Sequence, residues 1–185
     1  MSLFGDGLDA AVQKSFTRPA PKSAPAQMRY LVKQLKGTKP VAQMLRISQR
    51  TVERYVKGQI KKPRPDLAAR LEREVKKRWQ PQIRAQARQR AATTDGIIID
   101  TRARIGYTAP VGTTDDARLR HLTVALPPQY AARLFDAQQA GAGDQQLQDI
   151  TAEALKEVYF QDSGRRAGSL EEVRFTDIEH VEFDL

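Results

Sequence analysis

The stretch Lys39–Gly58, KPVAQMLRISQRTVERYVKG, admits few arrangements other than two short helices joined by a tight turn. Ala42 is small at the position where two helices must touch. Val41, Leu45, Ile47, Val52 and Tyr55 recur where a packed helix pair buries apolar groups. Ser48 stands where the second helix needs an N-cap, its hydroxyl accepting one orphan backbone N–H. In a helix-turn-helix of this kind the second helix offers its first turn, Gln49, Arg50 and Thr51, with Arg54 one turn on, to a DNA groove. Lys57 and the hinge KKPRP, with Lys61, Lys62 and Arg64, add cations for phosphate, and the hinge also resembles a nuclear-import patch. Arg46 occupies the turn position that most often carries Gly. Positive φ there costs a non-Gly residue about 1 kcal/mol and does not forbid the turn. The plain alternative is a helical hairpin with a charged surface.

Charge separates these alternatives. The chain is +9 overall, yet Lys14 to Arg90 holds 22 Lys/Arg against four Asp/Glu, and Ala91 to the end holds nine against 16. A solvated basic surface does not explain acids that are absent from one half and crowded into the other. A segment at +18 attracts polyanions, and each phosphate it neutralises releases counterions. Nucleic acid is the expected partner.

With 185 residues there is room for one or two small domains. There is no cysteine, hence no disulfide framework, zinc–thiolate site or cysteine nucleophile. His121 and His180, the only histidines, are far apart in sequence and lack ligand-like spacing, so no metal is expected. No apolar run approaches membrane-spanning length and the N-terminus lacks a signal-peptide core, which predicts a soluble cytoplasmic protein with no membrane partner.

Composition predicts an α+β, mainly helical chain in five parts. Residues 1–25 are an amphipathic helix, for docking on a partner or on its own core, followed by the Pro-rich linker Thr17–Pro25. Residues 26–80 are the helix-turn-helix domain: a supporting helix Gln27–Leu35 stopped by Gly37, the motif itself, and a helix from Asp66 whose stripe of Leu67, Leu71 and Val75 ends at Trp79, expected in the core. Residues 81–95 are a basic helical connector with almost no apolar face, expected to lie along nucleic acid or stay mobile. Residues 96–168 are a strand–loop–strand–helix–helix domain: strands over GIIID and Arg102–Tyr107, a loop Thr108–Arg118, a strand Leu119–Leu126, a helix Gln129–Gln139, a Gly141–Gly143 break, and a helix Asp144–Phe160 carrying Leu147, Ile150, Ala154, Leu155, Val158 and Tyr159 inward. Residues 169–185 are an acidic tail, an edge strand or hairpin able to cover basic surface until a partner displaces it.

The order strand–Pro–helix–Gly–helix resembles a ribbon-helix-helix module, in which two chains each lend a strand to a ribbon. The groove-facing set is then Arg118, Arg120, Leu122 and Val124, or else His121, Thr123 and Ala125. Neither set is strongly polar beyond its first residues. The module is therefore expected to serve as a core or dimerisation unit, compatible with a homodimer, rather than as a second DNA reader.

Catalytic constellations are nearly absent: no Ser–His–Asp set, no Gly-rich phosphate loop, no HExxH and no paired-Cys motif. Asp100, Asp115 and Asp116 are the one plausible carboxylate group for nucleotidyl transfer, and neighbours in sequence point apart as often as together. The first half taken alone suggests a transcriptional regulator. Three blocks suggest something else: the N-terminal MSLFGDGLDAAVQKSFTRPAPKSAPAQMRYLVKQLKGT, the helix-turn-helix, and GYTAPVGTTDDARLRHLTVALPP. Together, and in overall length, they are similar to the telomere terminal proteins of linear Streptomyces replicons.

The resemblance implies a protein that caps and primes replication of linear DNA ends. A side-chain hydroxyl receives the first nucleotide from a DNA polymerase, and the protein stays covalently linked to the 5′ end of a chromosome or plasmid. It implies location in the nucleoid at those ends, and a telomere-associated partner protein that reads the folded single-stranded 3′ overhang. The chain is then no enzyme but a nucleotidyl acceptor, with Mg2+ and deoxynucleoside triphosphate entering through the polymerase. A priming hydroxyl has to enter another protein's cleft, where the polymerase metal ions activate it. A loop presents such a group better than a helix face. Gly112–Asp116 is the best such loop, and the resemblance places the linkage on Thr114. Thr113, Thr108 and Tyr107 are its rivals, tyrosine being a common priming residue in other protein-primed systems. Asp115 and Asp116 are placed to hold a metal or position the loop, though their charge repels an incoming triphosphate. An Asp/Thr turn that caps the next strand is the structural alternative.

Overall fold

Ile97–Thr108, twelve residues rich in β-branched side chains, form β1, the central strand of a three-stranded antiparallel sheet. The computed structural model describes residues 2–108, 117–161, 170 and 172–185, and its architecture is α+β and mainly helical. Contacts divide the chain into two units: residues 1–16 with 82–185, and Thr17–Pro81.

In the first unit β1 pairs with β2 (Arg118–Leu126) from Ile97 opposite Leu126 to Ile105 opposite Arg118. On its other edge it pairs with β3 (Glu172–Asp184), from Ile98 opposite Asp184 to Thr108 opposite Glu172. Period-two alternation buries Ile97, Ile99, Thr101, Ala103 and Ile105 on one face. Thr101 is satisfied there by donating its hydroxyl to the His180 carbonyl at 2.9 Å. Helices cover that face: α1 (Leu3–Lys14) with Phe4, Leu8, Ala11 and Val12, α7 (Pro128–Gln139) with Tyr130, Leu134 and Phe135, and α8 (Asp144–Leu155) with Leu147, Ala154 and Leu155. Gly96 leads into β1 with φ +74, and a Cβ there would lie 2.2 Å from the Leu126 carbonyl oxygen, so the position accepts only glycine.

The N-terminal helix is no separate appendage. Ser2 caps it, and the Asp144 carboxylate accepts the N–H groups of Leu3 at 2.8 Å and Phe4 at 2.9 Å and the Ser2 hydroxyl at 2.8 Å. Burial alone would raise the Asp144 carboxyl, but these donors outweigh it and hold the group below the usual carboxylate range.

Residues 81–95 also differ from the expected connector. They form α6 (Pro81–Arg90) and one wide π-helical turn, Ala91–Asp95, and Arg84 is buried. Its guanidinium meets Asp9 at 2.7 Å and lies 5.9 Å over the Phe16 ring, while Arg88 lies 5.4 Å over Phe135. Arginine stems supply the inward face that apolar residues do not. The acidic tail is an edge strand, β3, and part of the sheet. The helix expected over Asp144–Phe160 ends at Leu155 and widens into a π-helical turn, Lys156–Phe160, which leaves Tyr159 42% exposed rather than inward. The ribbon-helix-helix analogy needs β2 to pair with a second chain, whereas one edge of β2 is taken by β1 of the same chain.

The second unit is four helices around Met28, Leu31, Val41, Leu45, Val52, Tyr55, Leu71 and Val75: α2 (Ala24–Gln34), α3 (Thr38–Leu45), α4 (Gln49–Val56) and α5 (Pro65–Arg78). α2 starts inside the expected linker because proline is tolerated in a first helical turn, as Pro25 is here. The left-handed residue after α2 is Lys36, φ 53, rather than Gly37. The remaining linker is held too: the Trp79 indole N–H donates to the Arg18 carbonyl at 2.9 Å, and the half-buried ring stacks edge-on to Tyr30.

Candidate nucleic-acid interface

The turn between α3 and α4 is three residues, 46–48. Arg46 takes the left-handed conformation, φ 53 and ψ 48, and the N–H of Ile47 closes on the Ala42 carbonyl at 3.0 Å. The Ser48 hydroxyl accepts the Thr51 N–H at 3.2 Å, the N-cap its position predicted. Val52 and Tyr55 anchor α4 in the core. Helical periodicity then turns Arg50, Arg54 and Lys57, spaced four and three apart, onto one outer stripe, and all three are exposed. Lys61, Lys62 and Arg64 follow in a non-helical segment and are exposed as well. None of these six cations has an ion pair among the described residues.

Two predicted contacts are already engaged. Gln49 donates to the Thr38 hydroxyl at 3.0 Å and to Glu53 at 3.1 Å, and the Thr51 hydroxyl lies 2.8 Å from that of Ser48. The unit carries 18 Lys/Arg against four Asp/Glu, and two of those acids, Glu72 and Glu74, pair along their own helix with Lys76 and Arg78. Its outer surface is therefore cationic.

Of the candidate priming residues, Thr113 and Thr114, with Asp115 and Asp116, lie outside the described residues, in the connection from β1 to β2. Tyr107 and Thr108 close β1. Tyr107 is half-buried with its ring 5.7 Å from Phe160, and the Thr108 hydroxyl accepts from Arg174 at 3.1 Å.

Sequence reasoning missed one cluster on the open face of the sheet. Asp100 accepts the Thr123 hydroxyl at 2.6 Å, and one of its oxygens lies 3.2 Å from His121 Nε2 and 3.6 Å from His180 Nε2. The Thr123 hydroxyl first, then His121, hold the Asp100 carboxyl below the usual range. Both histidines stand opposite Arg102, one on each neighbouring strand, a proximity that only the register reveals. Among the described residues no group of three His, Asp or Glu is arranged to hold a metal ion, and no helix is long and apolar enough to cross a membrane. A groove of about 360 Å³ between α8 and β3 has Asp149, Glu153 and Glu172 in its wall, more acid than base, and does not suit phosphate. Comparison with protein-family models, with curated proteins and with solved structures gives no match.

Proposed function

We propose that this chain binds DNA through a helix-turn-helix made of α3 and α4, and that it serves as the protein primer of linear DNA ends. The observation that carries the first half is the stripe Arg50–Arg54–Lys57, exposed and without ion pairs among the described residues, on a unit holding 18 basic residues against four acidic ones. A recognition helix needs an outer face of donors for base edges and phosphates, and this face has them. Lys61, Lys62 and Arg64 add phosphate contacts beside it.

The priming half rests on the resemblance to telomere terminal proteins and on chain order. β1 ends at Thr108 and β2 begins at Arg118, so in chain order Thr114 falls between two adjacent strands. Its hydroxyl oxygen would attack the α-phosphorus of a deoxynucleoside triphosphate held by the polymerase, displacing pyrophosphate and leaving a phosphodiester. The Mg2+ ions belong to the polymerase, and the chain supplies the nucleophile.

The test is transfer of labelled deoxynucleotide to the purified chain by polymerase in an extract containing the telomere-associated partner. Thr114→Ala should abolish labelling, Thr114→Ser should retain part of it, and Thr113→Ala should cost little. Label that persists on Thr114→Ala moves the linkage to Thr113 or Tyr107. No label on the unaltered chain with any nucleotide, combined with release from DNA ends in high salt, leaves a helix-turn-helix transcriptional regulator instead.

A further inference from the structure

Hydrogen-bond valence, rather than charge, sets apart the first residue of α4. Gln49 Nε2 carries two hydrogens, and both are spent inside the protein. One goes to the Thr38 hydroxyl at the start of α3, at 3.0 Å, and the other to the Glu53 carboxylate one turn on, at 3.1 Å. Glu53 fixes this orientation of the amide, because a carboxylate only accepts and would repel the amide oxygen. Gln49 is exposed, and its Oε1 accepts no hydrogen bond among the described residues. Gln49 and Glu53 each stand one residue before a cation of the exposed stripe, Arg50 and Arg54, so the amide lies along the flank of that stripe on the side of Thr38. Glu53 is also the one acid on α4. Its charge opposes phosphate binding, and holding the Gln49 amide is what it contributes there.

A glutamine with an N–H and its oxygen both available pairs with N7 and N6 of adenine together. Gln49 has no N–H left for N7. What it offers is an acceptor, and in the major groove guanine and thymine meet it with acceptors of their own, N7 and O6 or O4. Cytosine presents only its N4 amine, a donor with no acceptor beside it on the same base. We propose that Gln49 Oε1 selects cytosine in the major groove, with Thr38 and Glu53 as positioning residues that withhold the N–H adenine would need. The inference rests on α4 as the recognition helix and adds the base that its first residue reads. The guanine of the same pair presents the two acceptors that an arginine fork matches, and Arg50 and Arg54 are the neighbouring forks.

The test incubates the full chain and its variants with a random-sequence duplex library at fixed salt and sequences the duplexes that each one retains. At one position the unaltered chain should favour cytosine over any other base by roughly ten-fold, the effect of one mismatched pair. Gln49→Ala should erase the preference at that position and keep those elsewhere. Glu53→Ala frees one N–H and should move the same position toward adenine, a change that loss of packing would not produce. Thr38→Val should move it the same way. A preference for adenine, guanine or thymine at the position that Gln49→Ala relaxes overturns the inference. So does a Gln49→Ala profile identical to that of the unaltered chain, or cytosine still preferred when Glu53 and Thr38 are both replaced. Arg50→Ala with Arg54→Ala separates this inference from the reading beneath it. If that pair weakens duplex binding while Gln49 governs no base, the cytosine assignment alone falls. If duplex binding survives the pair unchanged, α4 is not the reader and both fall.

Discussion

Two arginines on well-formed helices show how differently the units use one side chain. Arg54 on α4 is exposed and has no ion pair among the described residues, in a unit with four carboxylates. Arg84 on α6 is buried against Asp9 and Phe16. The unit around the sheet holds 13 Lys/Arg against 18 Asp/Glu, and its cations are largely spent internally: Lys14 on Glu182, Arg84 on Asp9, Arg102 on Glu179, Arg133 on Glu153. The lesson is that positive charge marks a nucleic-acid surface only where acids are scarce enough to leave it unspent. By that criterion Thr17–Pro81 is the unit to which we assign the proposed DNA binding, and the basic helix after it is framework.

The largest effect expected inside this contrast is Leu8→Ala, a fully buried side chain of α1 on the sheet unit. It should destabilise that unit by about 2–5 kcal/mol. Trp79, the single tryptophan, lies in Thr17–Pro81, so its fluorescence follows the helical unit while far-UV circular dichroism follows both. Urea unfolding should show the circular-dichroism transition shifted and the fluorescence transition unmoved. A cost below about 0.5 kcal/mol would mean that α1 is not part of that core.

A crossed pair of substitutions comes next. Arg50→Ala or Arg54→Ala should weaken duplex binding by about 1–3 kcal/mol where the side chain meets a base edge, with stability changed by no more than roughly 0.5 kcal/mol. Arg84→Ala should leave duplex affinity alone and lower stability by about 1–3 kcal/mol, tempered by the partial exposure of Asp9. Lys61→Ala and Lys62→Ala should each reduce the slope of log affinity against log salt by about 1. The same response from Arg54 and Arg84 in both assays would erase the distinction between the units.

The smallest effect is in acid. Glu153 is held below its ordinary value first by its hydrogen bond from Arg133, and Asp144 and Asp100 are depressed as described. For carboxyls lowered on folding, the stability they confer is present above the unfolded-state value and is lost as pH falls through the folded one. The sheet unit should therefore weaken as pH drops below about 4. Asp144→Asn should flatten that loss in urea titrations at neutral and acid pH, and an unchanged acid profile would remove the helix-capping role assigned to Asp144.

Local elements were largely legible in the residues. Ser48 as N-cap, Arg46 at the positive-φ position, the strand over Arg118–Leu126 and the helix after Pro127 all appear within a residue or two of where their chemistry puts them. The packing of α6 is not legible in an apolar count, which ignores arginine stems, nor is the outward turn of Tyr159, because an ideal helical period runs on past the point where the helix widens. The site splits the same way. The cationic stripe of α4 follows from periodicity, whereas Gln49, nominally a reader, is held by Thr38 at the start of α3.

From the residue order come the helix pair at 39–58, the split of charge and the lack of any cysteine, because these depend on composition and on contacts a few residues apart. Which distant segments meet was settled only by folding: Asp144 on the start of α1, Asp9 on Arg84, and two histidines brought to one aspartate across three strands. Each of these contacts spans a separation that no local period encodes. Strand register and the burial of the sheet's inner face select them, and both are properties of the assembled core.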